Sequence, residues 1–331
     1  MSEKMTASDA LVRVLEAEGI EQVFGIPGGH ILSFYDALHR FGGIGTILTK
    51  HEGGAAFMAR MYARASGKPA VCAATAGPGA TNLITGVADA LVENVPMIVI
   101  TGQVATGVFG KNADQEDTGY GGTPDQTAMF KEVTKASMQV IRPDQVVGMA
   151  REAFRIAMSP PYGPVHLCLP ADVLAGPVDY EPASPESYRV TSWQRVDLEA
   201  IGRAARLIAA SKRPALIAGQ RCVFPNVSRE LQALGEDCGI PIATTVVAKG
   251  IIAEDHPLSL GVLHTFGHRC ADRYLKDADC VVAIGENFQE NCCNFYDDEL
   301  IPDNGMIQID NCTEQVGRIY PLVLGVAGDI G

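Results

Sequence analysis

Short runs of consecutive apolar residues, each followed by a glycine-rich turn and then a helical pattern, constrain this chain more than any other feature. Gln22-Val-Phe-Gly25 leads into Ile-Pro-Gly-Gly-His30, Gly45 to Thr49 into His51-Glu-Gly-Gly54, and Ala70 to Thr75 into Ala76-Gly-Pro-Gly79. Met97 to Thr101 is a further run of this kind. The runs are continuous rather than alternating, so both faces of each strand are buried, as in a parallel sheet covered by helices. Helical periodicity fills the gaps at Ser8 to Glu18, Ile31 to Arg40, Glu52 to Ala65 and Ala80 to Asn94, with Ser8 or Asp9 as the first cap and Gly19 as a stop. The expected fold class is α/β, built as open, mostly parallel-sheet, three-layer domains. Ligands should bind at the carboxyl ends of the strands.

The chain has 331 residues, which suits two domains. Gly102 to Met129 interrupts the rhythm as a long polar loop, and such loops are often functional. A helix from Pro143 to Ser159 and a strand from Pro164 to Leu169 follow. Gly176 to Trp193 has turn-formers and no periodicity (Pro177, Pro182, Ser184, Pro185, Ser187), which predicts a linker at 183–194 between domains 1–182 and 195–331. A second series repeats the pattern. Its expected helices are Asp197 to Ser211, Ser228 to Cys238 and Arg269 to Lys276. Its expected strands are Pro214 to Ala218, Pro241 to Val246, Cys280 to Ile284 and Gly305 to Ile309, and the chain closes on the loop-like Gly328 to Gly331.

Several classes are disfavoured. With Lys+Arg 26 against Asp+Glu 39 the net charge is −13, a poor match for nucleic acid or an anionic membrane. The longest apolar run, Val95 to Ile100, is far short of the ~20 residues of a spanning helix. The N-terminus lacks a signal-peptide pattern, so a cytoplasmic location is expected. The nine cysteines form no CxxC. Cys292-Cys293 has no partner pair at zinc-like spacing, and no metal ligands are assigned.

Four constellations could carry chemistry. Glu52 opens a helix at a strand's carboxyl edge beside Gly53, Gly54, Ala55 and Ala56; a plain reading is an acid stabilised by the helix dipole. Thr75-Ala-Gly-Pro-Gly-Ala-Thr-Asn82 is a strand-to-helix turn that lets a ligand approach. It is an imperfect dinucleotide fingerprint with Asn82 at the third glycine, and a plain βα turn is the alternative. His30 should share the sheet edge with Glu52 if their strands are neighbours, or else be structural. Asn112-Ala-Asp-Gln-Glu-Asp117 reads as a polar site segment or a solvated acidic loop.

The order and spacing of these motifs, continued by Val95-Pro-Met-Ile-Val-Ile-Thr-Gly-Gln103, resembles the N-terminal domain of thiamine-diphosphate (ThDP) enzymes, nearest the acetolactate synthase group. Gly239-Ile-Pro-Ile-Ala-Thr-Thr, Asp255-His-Pro-Leu-Ser-Leu-Gly261, Asp277 to Gly285 and Ile307-Gln-Ile-Asp310 resemble its middle domain. The resemblance implies a pyrimidine-binding domain followed by a Rossmann-like middle domain. It assigns Glu52 to the aminopyrimidine ring, where a carboxyl can share a proton with the cofactor. Gly28 and Gly29 match the turn at the pyrimidine end, Thr75, Pro78 and Asn82 the segment close to that ring, and Gln115 a glutamine facing the reacting centre. His30 stands where the synthases carry a small residue, and resembles instead the active-site histidine of benzaldehyde lyase, a proton shuttle or substrate partner. Asp114 replaces an aromatic, and Thr118 to Pro124 looks inserted.

The same resemblance implies Mg²⁺ and a third, diphosphate-binding domain marked by Gly-Asp-Gly and Asn-Asn, which this sequence does not contain. The expectation is the N-terminal two-domain portion of a ThDP-dependent C–C lyase or carboligase for a 2-oxo acid or related carbonyl, inactive on its own. A homo-oligomer, dimer or tetramer, is implied. FAD in the middle domain is not favoured, because Gly219-Gln-Arg-Cys222 replaces a glycine-rich turn, although Gly261 to His268 partly resembles a flavin-contacting segment. The rival readings are an NAD-binding oxidoreductase using the Gly77–Gly79 loop and a non-catalytic regulatory chain of the same fold.

Overall fold

The computed structural model describes residues 3–190, 197–224, 226–267, 269–301 and 306–331. The chain separates into two compact units, residues 1–191 and 192–331.

In the first unit the elements run β1 (Glu3–Thr6), α1 (Ala7–Ala17), β2 (Gln22–Gly25), α2 (Leu32–Phe41), β3 (Gly45–Leu48), α3 (Glu52–Ser66), β4 (Ala70–Ala74), α4 (Pro78–Thr81), α5 (Ile84–Val92), β5 (Met97–Gln103), α6 (Gln126–Lys131), β6 (Ala136–Gln139), α7 (Val146–Ala157), β7 (Pro164–Pro170), α8 (Ala171–Ala175) and β8 (Pro177–Tyr180). Six strands form a parallel sheet in the order β3-β2-β4-β5-β7-β6. Every residue of β4, β5 and β7 is buried, the continuous burial that their apolar runs predict. One face packs on Leu11, Val14 and Leu15 of α1, Phe34 of α2 and Phe154 of α7. The other packs on the small residues Ala55, Ala56, Ala59 and Ala63 of α3 and on Val87 of α5. These alanines bring α3 so close that a Cβ on Gly86 would stand 2.6 Å from that of Ala56.

The second unit contains α9 (Leu198–Ala210), β9 (Pro214–Ala218), α10 (Ser228–Cys238), β10 (Ile242–Thr244), β11 (Ser259–Val262), α11 (Arg269–Lys276), β12 (Cys280–Ile284), β13 (Met306–Asp310) and β14 (Leu322–Ala327). Its six parallel strands lie in the order β11-β10-β9-β12-β13-β14. The α/β, mostly parallel-sheet class read from the sequence is the observed one.

Several expectations need correction. The first helix is capped by Thr6, whose hydroxyl accepts from Asp9 N while the Asp9 carboxylate accepts from Thr6 N; Asp9 is the third helical residue of a capping box. Pro177–Tyr180, placed in an aperiodic stretch, is a strand paired antiparallel with β1. The helix expected from Ala80 to Asn94 begins at Pro78 and hitches at Asn82 and Leu83. The Gly102 to Met129 loop yields its first two residues to β5 and its last four to α6. Strands β6 and β11, of four residues each, and the apolar six-residue β14 were not anticipated from the sequence. Of the expected linker 183–194, residues 191–194 lie outside the described residues, as do His268 of the flavin-like segment and Gly305. The linker's start is anchored: Tyr188 Oη donates to Glu18 Oε1 at 2.6 Å and Arg189 Nη2 to Glu18 Oε2 at 2.7 Å. Among the described residues no helix is long and apolar enough to cross a membrane.

Candidate active site

Sheet order decides where a site can form. From β2 the chain moves outward to β3, whereas β4 lies on β2's other side and leads to β5. The carboxyl ends of β2 and β4 therefore face a topological switch point, where α/β sheets bind ligands. Two glycines let the turns meet there. A Cβ on Gly28 would stand 2.6 Å from Thr75 Cβ, and one on Gly79 would stand 2.8 Å from Thr75 Cγ2. Thr75 Oγ1 accepts from His30 N at 3.4 Å, which joins the turn after β2 to the turn after β4. Strands β2 and β3 are neighbours, so His30 and Glu52 do share one sheet edge.

Glu52 is the first residue of α3. His51 caps that helix, with Nδ1 accepting from Gly53 N at 3.0 Å. A carboxylate in this position gains about 0.3–1 kcal/mol from the helix dipole. The Asn82 amide donates to Glu52 Oε2 at 2.9 Å. The other oxygen, Oε1, faces the gap at Gly79, 3.6 Å from where a Cβ would stand. Tyr35 lies beneath, its hydroxyl donating to Ala73 O at 3.4 Å. Burial holds its phenol protonated, and the neighbouring Cys72 and Glu52 reinforce the shift.

The polar loop after β5 closes the third side. His30 Nε2 lies 3.1 Å from Asp114 O. A carbonyl only accepts, so Nε2 carries the proton and Nδ1 is left for another partner. Gly102 presses on this residue: a Cβ there would meet the His30 backbone at 2.9 Å. Asp117 is buried, 1% exposed. Its Oδ1 accepts from Gln103 Nε2 at 2.7 Å and Gln126 Nε2 at 3.0 Å, and its Oδ2 accepts from Gly77 N at 2.9 Å. Burial pushes the Asp117 carboxyl up to about 6, against the pull of its donors and of His30. Gln126 Nε2 also donates to Gly102 O at 2.9 Å, which leaves its own Oε1 buried and unpaired.

The structure thus brings Gly28, His30, Glu52, Thr75, Gly79 and Asn82 together. Pro78 is exposed at the start of α4, and nothing lies within 4 Å of a Cβ built on Gly29. Gln115 has φ +60° and an exposed side chain; its backbone covers Gly77, whose Cβ would stand 3.1 Å from Gln115 O. Sequence alone assigns Asp117 and Gln103 no role and does not single out Gln126. The segment Asn112 to Asp117 reads from sequence as either a polar site segment or a solvated acidic loop; in the structure both Glu116 and Asp117 are buried. Only the tertiary fold aims donors from three other segments at Asp117.

In the second unit, the corresponding switch point lies between β9 and β12, and protein fills it. A Cβ on Gly219 would stand 2.4 Å from Glu286 Cα. Arg221 and Asp310, both buried, form a two-pronged ion pair at 2.7 Å (Nε to Oδ1) and 2.5 Å (Nη2 to Oδ2). Glu286 is fully enclosed, its carboxyl pushed up to about 7 by burial.

Comparison with known proteins agrees with this layout. The thiamine pyrophosphate enzyme N-terminal TPP binding domain matches residues 5–129, and the central domain of the same enzymes matches residues 201–331. A probable acetolactate synthase large subunit of Methanocaldococcus jannaschii is 37% identical over 336 residues, covering 98% of this chain and 54% of that protein. The acetolactate synthase isozyme 1 large subunit of Escherichia coli (strain K12) is 35% identical over 329 residues, covering 99% and 56%. The acetolactate synthase large subunit of Corynebacterium glutamicum is 35% identical over 330 residues, covering 99% and 51%. The chain spans about half the length of these relatives.

Proposed function

This chain belongs to the thiamine pyrophosphate enzyme family, and from that premise we propose that its first unit holds the pyrimidine half of ThDP in a carbon–carbon lyase or carboligase acting on a small 2-oxo acid or related carbonyl. The observation that carries this reading is Glu52, held at the start of α3 by Asn82 with Oε1 turned to the cradle between Gly79 and Thr75. Thr75, Gly28 and Gly79 shape that cradle, and a side chain at either glycine would fill it. When bound, thiamine diphosphate supplies a nucleophilic ring carbon and an electron sink. The work of this chain is positional and acid–base. Glu52 holds or shares a proton at Oε1, Asn82 fixes its rotamer, and Tyr35 provides a neutral floor. His30, with Nε2 engaged by Asp114, has Nδ1 free to hold or move a proton near a substrate oxygen. The test is ThDP-dependent turnover of pyruvate by the assembled enzyme: Glu52→Gln should lower it roughly 10²–10⁴-fold, and full turnover in that variant removes the reading.

We place the diphosphate and Mg²⁺ outside these two units, with the isolated pair inactive. Among the described residues there is no group of three His, Cys, Asp or Glu that could hold a metal. A dinucleotide at the Gly77–Gly79 turn gains no support, because Gly77 N is already given to Asp117. FAD in the second unit is not favoured. The Arg221–Asp310 pair and Glu286 occupy the crevice, and the Gly219 turn already closes on Glu286. The purified protein is expected to be colourless and to leave added FAD fluorescence unquenched. A homo-oligomer is supported by the outer face of α3, where Phe57, Met58 and Met61 are exposed on the helix that begins with Glu52.

A further inference from the structure

We propose that Asp117 is a positioning residue: its buried carboxylate clamps the loop that carries Asp114 and Gln115 onto the turn after β4, and so fixes the side of the site next to His30. The proposal rests on the reading of that site as the ThDP site.

The loop is ordered by two adjacent acids with separate jobs. Glu116 folds it onto itself, accepting from Gly110 N at 2.5 Å, Ala113 N at 3.1 Å and Thr118 Oγ1 at 2.7 Å. Asp117 instead reaches out of it, to Gly77 on the turn after β4, Gln103 at the end of β5 and Gln126 at the start of α6. Gln126 N also donates to Asp117 O at 3.0 Å, fixing the loop's far end. All three groups facing the carboxylate are donors. An asparagine has one acceptor oxygen and would set its own NH₂ against at least one of them.

Two features show what the clamp holds. Gln115, two residues away, has φ +60°, a conformation that non-glycine residues adopt only when their surroundings impose it. Its backbone sits on Gly77, the residue whose N–H Asp117 takes. Asp114, three residues away, presents the carbonyl that His30 Nε2 meets. Releasing Asp117 would lift Gln115 from Gly77 and Asp114 from His30 together, while the Glu52–Asn82 bond stays intact. The titratable groups facing Asp117 are His30 on the turn after β2 and Cys168 on β7, whose thiol burial pushes up to about 12; Asp125 caps α6 close by.

The experiment compares the wild-type chain with Asp117→Asn and Asp117→Ala by hydrogen–deuterium exchange across pH 5–8. In the wild type, corrected protection of peptides covering 75–83 and 104–118 should fall as pH rises toward about 6 and level off above it, because the raised pKa means that the closed loop holds the Asp117 proton more tightly than the open one. In Asp117→Asn it should be flat with pH and lower by about tenfold at pH 7, with peptides from β7 unchanged. Wild-type protection in Asp117→Asn overturns the clamp. In the assembled enzyme, Asp117→Asn should lower kcat about tenfold and leave the KM for ThDP within about threefold. If Glu52→Gln loses turnover as expected but Asp117→Asn keeps full kcat despite an opened loop, this inference fails and the ThDP reading stands. If Glu52→Gln is fully active, the ThDP reading fails, whatever the exchange data show of the clamp.

Discussion

The Asn82 amide nitrogen lies 2.9 Å from Glu52 Oε2, and this one hydrogen bond ties the helix after β3 to the turn after β4. The two residues are thirty apart in sequence and on different elements. Their meeting orients a carboxylate that would otherwise rotate freely at the start of α3.

Asn82→Ala should therefore disorder the Glu52 rotamer without unfolding the domain, since Asn82 is exposed. In the assembled enzyme kcat should fall by about tenfold, whereas Glu52→Gln should lose roughly 10²–10⁴-fold. Steady-state kinetics beside thermal midpoints would check this; a midpoint fall that matches the activity loss would point to unfolding instead.

The neighbouring glycines should behave differently. Gly28→Ala forces a Cβ to 2.6 Å from that of Thr75, and overpacking of this kind costs about 1–3 kcal/mol. Gly29→Ala meets nothing within 4 Å and should stay within about 0.5 kcal/mol of wild type. Urea denaturation of the two variants would show the difference. Any loss of cofactor-dependent activity in Gly29→Ala would then report on the ligand rather than the fold.

Stability should depend on His166 in mildly acidic solution. Its ring is buried between Thr101 Oγ1 at 2.7 Å and Ser137 Oγ at 2.8 Å, and it stacks on Phe130. Burial lowers its pKa to about 3, so the folded state keeps it neutral. Between about pH 6.5 and 3 the unfolded chain binds the extra proton, and stability falls as pH falls, by an amount on the order of a few kcal/mol. Asp117 opposes this, since a raised pKa favours the folded state below about pH 6. His166→Gln should flatten the acid limb of a plot of unfolding free energy against pH. An unchanged limb would assign it to other groups.

In the second unit, Arg221→Met leaves Asp310 buried and unpaired, and should destabilise that unit by about 3–5 kcal/mol. Arg221→Met combined with Asp310→Leu should recover most of the loss, because it removes both charges. Guanidinium unfolding of the single and double variants provides the comparison.

The exposed apolar face of α3 gives a last expectation. Met58→Glu with Met61→Glu places charge on the patch and should lower the mass seen by analytical ultracentrifugation, with the circular dichroism spectrum unchanged. Equal masses for variant and wild type would exclude this face from the oligomer interface.

The sequence by itself determined the α/β class, most strands and helices, and the turns that bear Gly28, His30, Glu52, Thr75 and Asn82. These are local properties: continuous apolar runs fix buried strands, and glycines mark where backbone must turn or approach closely. It did not reveal β6 or β11, whose four residues carry little local signal of their own and are held by their parallel neighbours β7 and β10, nor the apolar β14, which pairs with β13. Nor could it separate Asp117 from Asp114 and Glu116 in the same loop. Asn112 to Asp117 reads as one polar string; the donors that make Asp117 a hub come from Gly77, Gln103 and Gln126 on three other segments. Burial and hydrogen-bond partners are properties of the assembled fold, so only the tertiary structure decided that Glu116 bonds within its own loop while Asp117 joins that loop to three other segments.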